Sequence, residues 1–142
     1  MLLFTIRPAC GADIGALTAF DRHIPPEALR RCVAEGRVLA LEADGALAGW
    51  LRWGLFWDSV PFMNLLYVLE PHRGRGFGLA LVERWERDMR AAGFSTVMTS
   101  SQQDEYAQHF YVKLGYRAVG GFTPRGDPLE ILFEKALGKE ER

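Results

Sequence analysis

Leu66-Tyr67-Val68-Leu69-Glu70-Pro71-His72-Arg73-Gly74-Arg75-Gly76-Phe77-Gly78-Leu79-Ala80 changes character twice. It begins as a strand-like apolar run, turns through Pro71 with glycine at every second position from Gly74 to Gly78, and then enters a helical pattern. This reads as a strand, a glycine-rich loop and a helix. Small residues let backbone N–H groups turn inward together, and the first N–H groups of a helix have no intrahelical acceptor, so such a loop is a receptor for phosphate. Arg73 and Arg75 add positive charge. A dinucleotide fingerprint is excluded because the third glycine comes one residue early, and a P-loop because no Gly-Lys-Ser/Thr follows.

The 142-residue chain, 49% hydrophobic, can bury one sizeable core and is short for two ordinary domains. We expect a single domain over residues 1–137 and a charged tail over 138–142. A net charge of −1 gives no basic excess to hold a nucleic-acid backbone, so the Arg-Gly loop stands alone and nucleic acid is not an expected partner. No apolar run approaches the ~20 residues of a membrane span, and the first residues lack the features of a signal peptide. Cys10 and Cys32 form neither a metal-spacing motif nor a disulfide framework, which suits a cytoplasmic protein with free thiols and no metal.

In chain order, Phe4–Arg7 reads as a strand ended by Pro8. Residues 13–20 and a segment beginning at Pro25-Pro26 carry helical spacing. Val38–Leu41 and Leu47–Trp57 are strands joined through Asp44-Gly45, a hairpin signal because both central turn residues need positive φ. Both faces of the second strand are mostly apolar, which makes it central, and Arg52 on it needs a partner or an opening to solvent. Asp58-Ser59-Val60-Pro61 is a turn before a strand over Phe62–Leu69. After the loop, Leu81, Val82, Trp85 and Met89 mark the buried side of a helix, opposite Glu83, Arg84, Glu86, Arg87 and Asp88, and Gly93 ends it. Ser95–Thr99 reads as a strand and Ser101–Asp104 as a capping box, with Tyr106, Phe110 and Leu114 as the buried stripe of the next helix. Two strands, Tyr116–Val119 and Glu130–Glu134, close the pattern. The fold class is α/β: a mixed, mostly antiparallel sheet of six to seven strands flanked by about four helices.

Arg73, Gly76 and Gly78, read as R-x-x-G-x-G after a strand carrying Val68, resemble the acetyl-CoA pyrophosphate loop of the GNAT superfamily, the Gcn5-related N-acetyltransferases. Ala107-Gln108-His109-Phe110-Tyr111-Val112-Lys113-Leu114-Gly115-Tyr116 resembles that family's A-x-x-F-Y-x-K-L-G-F/Y segment. The order of elements agrees over nearly the whole chain, and the type is that of small single-domain bacterial members.

The resemblance implies an acetyl-CoA-dependent N-acetyltransferase working by direct attack of an amine in a ternary complex. It places the cofactor where the fourth strand parts from the fifth, with backbone groups around Leu66, Tyr67 and Val68 pairing with the pantetheine amides as an added strand would. Backbone N–H groups across Arg73, Gly74, Arg75, Gly76, Phe77 and Gly78 take the pyrophosphate. Tyr111 is the leading acid, a phenol able to return a proton to the departing thiolate, and it also borders the cofactor. The family often has Asn at the start of this helix; Asp104 stands there instead.

A lysine-like acceptor is mostly protonated at neutral pH, and reaching the free amine costs roughly 4–5 kcal/mol unless a base removes the proton. Asp58, Glu105 and Glu130 are the candidate bases, with Asp58 first because it borders an aromatic strand end; Asn64 lies where some members carry glutamate and cannot serve. Of the aromatic group Trp50, Trp53, Phe56, Trp57 and Phe62, core packing accounts for most, and Trp57 and Phe62 are expected beside the acceptor together with Asn64. His23, in the link between the first two helices, is a weaker candidate. A homodimer is common in the family. The alternatives are a non-catalytic acyl-CoA-binding or regulatory module on the same fold, and an unrelated nucleotide-binding protein that uses the loop for phosphate.

Overall fold

The computed structural model describes residues 3–103 and 106–138. Seven strands, β1 (Phe4–Pro8), β2 (Val38–Ala43), β3 (Ala46–Phe56), β4 (Val60–Val68), β5 (Thr96–Gln102), β6 (Arg117–Phe122) and β7 (Glu130–Ala136), lie in one sheet in the order β1-β2-β3-β4-β5-β7-β6. Four helices, α1 (Ile14–Phe20), α2 (Pro26–Ala34), α3 (Phe77–Ala91) and α4 (Ala107–Lys113), accompany them. The β1–β2, β2–β3, β5–β7 and β6–β7 pairs are antiparallel, and β4–β5 is parallel. The mixed, mostly antiparallel sheet and four helices are those expected from the sequence.

Packing divides the chain into two compact units, residues 1–54 with 64–87 and residues 55–63 with 88–142. In the first, the buried core gathers Ala9, Leu17, Leu29, Cys32, Val38, Ala40 and Trp50. Asp44 and Gly45 take φ of 55° and 80°, the two left-handed residues that the β2–β3 turn requires. Arg52 finds its partner in Asp21 at the end of α1: Nε donates to Oδ2 at 2.7 Å and Nη2 to Oδ1 at 3.2 Å, with the two side chains 7% and 0% exposed. Leu81, Val82 and Trp85 are buried on α3. Glu86 is buried too, contrary to its expected place on the charged face, because it follows Val82 by four residues on the same stripe.

In the second unit, Met89 is buried at the end of α3, and Gly93, at φ 97°, closes that helix. Its N–H donates to the Arg90 carbonyl and that of Phe94 to the Met89 carbonyl, each at 3.0 Å. β5 pairs with β7 from Thr96↔Ala136 through Gln102↔Glu130. It is longer than expected, so Ser101 and Gln102 are strand residues rather than helix caps. Asp104, Glu105 and the charged tail beyond Gly138 lie outside the described residues.

Two further expectations change here. Trp57 leaves the strand and enters the β3–β4 turn: Trp57 and Asp58 take φ of 53° and 59°, and the Ser59 N–H donates to the Phe56 carbonyl at 3.1 Å. On α4 the expected stripe holds only in part, with Phe110 and Leu114 half-buried. Tyr106 precedes the first helical turn and is 79% exposed, whereas Tyr111 is 6% exposed among Phe110, Tyr116 and Phe133.

Candidate active site

In the first unit the loop between β4 and α3 is built by its backbone. Gly74 and Gly76 take φ of 77° and 81°, and a Cβ at either would meet nothing within 4 Å. Glycine is therefore required by conformation, not by crowding. α3 starts at Phe77, and the Ala80 N–H donates to the Gly76 carbonyl at 3.1 Å, so the helix's own ladder leaves the N–H groups of Phe77, Gly78 and Leu79 without an acceptor. The Phe77 ring is buried, edge-on to Phe4 at 5.4 Å, and pins the helix start while its backbone contributes to the loop. The glycine spacing and the first helical turn thus come together as the sequence predicts.

The two arginines are held differently. Arg73 turns back on the strand: Nε donates to the Val68 carbonyl at 2.9 Å, and its guanidinium lies 5.6 Å from the centre of the Tyr67 ring. Tyr67 in turn packs 5.1 Å from Trp50 and 5.8 Å from Phe20, so this face of β4 is anchored in the core. Arg75 lies over Phe77 at 4.9 Å, with Nη1 3.2 Å from His72 Nδ1 and 3.4 Å from Asp44 Oδ2. The sequence marks Asp44 only as a turn residue and does not mark His72; the contact of Asp44 with Arg75 follows from where the β2–β3 hairpin folds, not from local spacing.

Leu66, Tyr67 and Val68 are half-buried at the end of β4, and Asn64 is exposed. A Cβ at Gly49 on β3 would approach the Tyr67 carbonyl to 2.8 Å, so β3 and β4 are in close backbone contact there. His23 is exposed in the α1–α2 link.

In the second unit, Phe62↔Met98 and Met63↔Thr99 form the parallel register of β4 with β5. The Thr99 hydroxyl donates to the Met63 carbonyl at 2.9 Å. Ser100 donates to Glu130 at 2.7 Å, which engages that candidate base. Ser101 is 4% exposed, and its hydroxyl has no hydrogen-bond partner among the described residues. Asp58 is exposed beside Trp57, which is 82% exposed and rests 4.7 Å from Phe56; Phe56 stacks on Phe62 at 5.9 Å. Trp50 and Trp53, by contrast, pack inside the first unit, Trp53 at 6.5 Å from Trp85.

No curated protein matches the chain at a significant level. Solved structures do. Ard1 from Thermoplasma volcanium superposes with a TM-score of 0.83 at 17% identity, over 96% of this chain and 99% of that one. The ribosomal-protein-S18-alanine N-acetyltransferase from Escherichia coli gives 0.80 at 15%, over 99% and 97%. PaiA N-acetyltransferase from Thermoplasma acidophilum, in complex with coenzyme A, gives 0.78 at 16%, over 94% and 99%. These likenesses establish the shared fold. The sequence itself matches the acetyltransferase (GNAT) family model over residues 13–116, well over half of its length, from the start of α1 through α4, and the chain belongs to that family.

Proposed function

We propose that the protein is an N-acetyltransferase that takes acetyl from acetyl-CoA and delivers it to a primary amine by direct attack. The observation that carries this reading is the β4–α3 loop, where two left-handed glycines and the start of α3 at Phe77 bring backbone donors together inside the family's matched span. Such a cradle fits the pyrophosphate of coenzyme A, bound by the main chain from Arg73 to Gly78. The strand backbone around Leu66, Tyr67 and Val68 would hold the pantetheine amides, and Asp104 remains a candidate contact from the family pattern. Two left-handed glycines and a buried Phe77 fix the loop before binding, which lowers the entropy lost on association.

Acetyl-CoA supplies an activated thioester. The chain's part is to hold the carbonyl in reach of the amine, take a proton from the amine and return one to sulfur. Tyr111 is our candidate for the return and Asp58 for the removal, with Trp57, Phe62 and Asn64 as acceptor neighbours. Support for a cationic acceptor comes from the pairing of an exposed indole with a carboxylate on one turn. Free thiols at Cys10 and Cys32 suit a cytoplasmic setting, and the sheet edges β1 and β6 are where a homodimer would form.

The burial of Tyr111 favours a second reading, an acyl-CoA-binding module in which this ring is structural. Titration calorimetry with acetyl-CoA, CoA and ATP, followed by thiol release against a panel of amines for wild type and Tyr111→Phe, tests both. Preferential CoA binding with amine-dependent thiol release, slowed in Tyr111→Phe while binding persists, is the expected result. Binding without turnover on any amine supports the module, and ATP binding in preference to CoA overturns both.

A further inference from the structure

We propose that the groove between β1 and α3 is a separate binding site, for a free α-amino acid with an apolar side chain; the proposal does not depend on the acyl-CoA reading above. Phe4, Ile6, Ala80, Glu83, Arg84 and Arg87 line a cavity of about 400 Å³, all within the first unit. Small-molecule pockets run from about 300 to 1,000 Å³, so the space suits a ligand of modest size. β1 is the outermost strand of the sheet, and Phe4 and Ile6, two residues apart on it, project from one face. The Phe4 ring meets Phe77 at the start of α3, so this is the face that α3 covers. On the helix, Ala80, Glu83, Arg84 and Arg87 stand at i, i+3, i+4 and i+7 and share one side. Phe4, Ile6 and Ala80 give the cavity an apolar floor beneath a charged rim, and Phe4 is still 39% exposed there.

The strand edge favours a small molecule as occupant. The Ala9 N–H donates to the Val38 carbonyl at 2.9 Å, and bonded pairs alternate along antiparallel strands. The backbone groups of Thr5 and Arg7 therefore face β2, and those of Phe4 and Ile6 turn outward. Arg84 takes the outward carbonyl of Ile6, Nη1 donating at 3.0 Å, and Pro8, the next outward position, has no N–H. A chain laid along β1 would have to displace Arg84; a ligand seated on the side chains need not.

The charges name the ligand. Glu83 and Arg87 are four residues apart, in the order at which an acid and a base pair across one helical turn. They make no such pair, and neither side chain has an ionic or hydrogen-bond partner among the described residues. The rim thus keeps one carboxylate and one guanidinium available. A simple carboxylic acid would set an anion beside Glu83, and a simple amine a cation beside Arg87. A zwitterion answers both, its carboxylate on Arg87 and its ammonium on Glu83, with the side chain over Phe4, Ile6 and Ala80.

The experiment is an NMR titration of the ¹⁵N-labelled full chain with L-phenylalanine and L-leucine, and with 3-phenylpropionate and 2-phenylethylamine, which each lack one of the two charges. The amino acids are expected to give saturable shifts at roughly millimolar concentration, centred on the amides of Phe4, Ile6, Ala80 and Glu83 to Arg87. The two singly charged analogues should bind about fivefold more weakly than L-phenylalanine, the weight of one charged hydrogen bond at a partly solvated rim. Arg87→Gln and Glu83→Gln, both at exposed positions, should each weaken L-phenylalanine by about the same factor. Arg87→Gln should leave 2-phenylethylamine unchanged, and Glu83→Gln should leave 3-phenylpropionate unchanged or bound more tightly. No saturable shift with either amino acid overturns the assignment. So does an analogue that binds as well as L-phenylalanine, which would mean that only one charge is read, and so does a response centred away from β1 and α3.

Discussion

Replacing Asp21 by alanine should be among the most damaging single changes in the molecule. The carboxylate is fully buried and accepts two hydrogen bonds from Arg52, whose guanidinium is nearly as buried, so the substitution strands a charge rather than trimming a contact. Breaking a buried pair in this way costs about 3–5 kcal/mol. Domains are stable by about 5–15 kcal/mol in total, so a large part of the margin disappears. At roughly 2–4 °C per kcal/mol for a chain near this size, the unfolding temperature should fall by about 10–15 °C. Arg52→Met leaves Asp21 buried and unpaired and should cost a similar amount. The double variant Asp21→Leu/Arg52→Met removes both charges and should lie close to wild type or above it. Urea unfolding of all four proteins closes the cycle, and the expected coupling is several kcal/mol, far from additivity. Two single variants each within about 1 kcal/mol of wild type, adding to give the double, would refute the view that this pair is desolvated and mutually dependent.

Gly49→Ala should destabilise by about 1–3 kcal/mol in a urea titration, because its Cβ would meet a backbone oxygen, that of Tyr67, at 2.8 Å, and backbone cannot yield as a side chain does. Full wild-type stability would show that β3 and β4 can separate. Trp57→Asn with Asp58→Gly should instead stabilise by about 1 kcal/mol, since both positions lie at positive φ and these residues adopt it at lower cost; a lower urea midpoint would contradict this. Hydrogen bonds from Arg7, aided by the Cys10 N–H, hold the Asp13 carboxyl at about 2, below its ordinary 3.8. A folded-state value below the unfolded one gives stability that is fully present above about pH 4 and is lost as pH falls towards 2, about 2 kcal/mol in all. Asp13→Asn should therefore flatten the acid limb of stability between those values, and an unchanged limb would disprove the assignment.

What was legible in the sequence is what local rules encode. Asp44-Gly45 specifies a turn because two consecutive left-handed residues admit few alternatives, and Gly74 and Gly76 specify the loop because each sits at a positive φ that glycine adopts without strain. The apolar stripe of α3 fixes which side is buried, yet the same stripe carries Glu86 inward, where composition alone would have left it in water. Arg52 announced that it needed a partner, but Asp21 lies 31 residues away and only folding selects it. Trp57 illustrates the opposite limit. Strand alternation ran through it without a break, and the turn that claims it, Trp57-Asp58, has neither glycine nor asparagine to mark it.

The same division runs through the candidate site. A cradle made of main chain is written in consecutive residues, because glycine at the right spacing and a helix beginning suffice to aim the donors. The surroundings of a side chain are chosen by packing between distant segments, which local spacing does not encode. Tyr106, Phe110 and Leu114 read as the buried stripe of α4, yet the helix starts at Ala107 and Tyr111 is the residue buried on it, against Tyr116 and Phe133. Ser101 read as a helix cap because its hydroxyl preceded a helical pattern; β5 runs on to Gln102, and Ser101 is a buried strand residue opposite Ile131 of β7. A misplaced boundary of a few residues was enough to change a cap into a strand residue, since in a strand the side-chain period and the neighbour's register decide what an oxygen can reach.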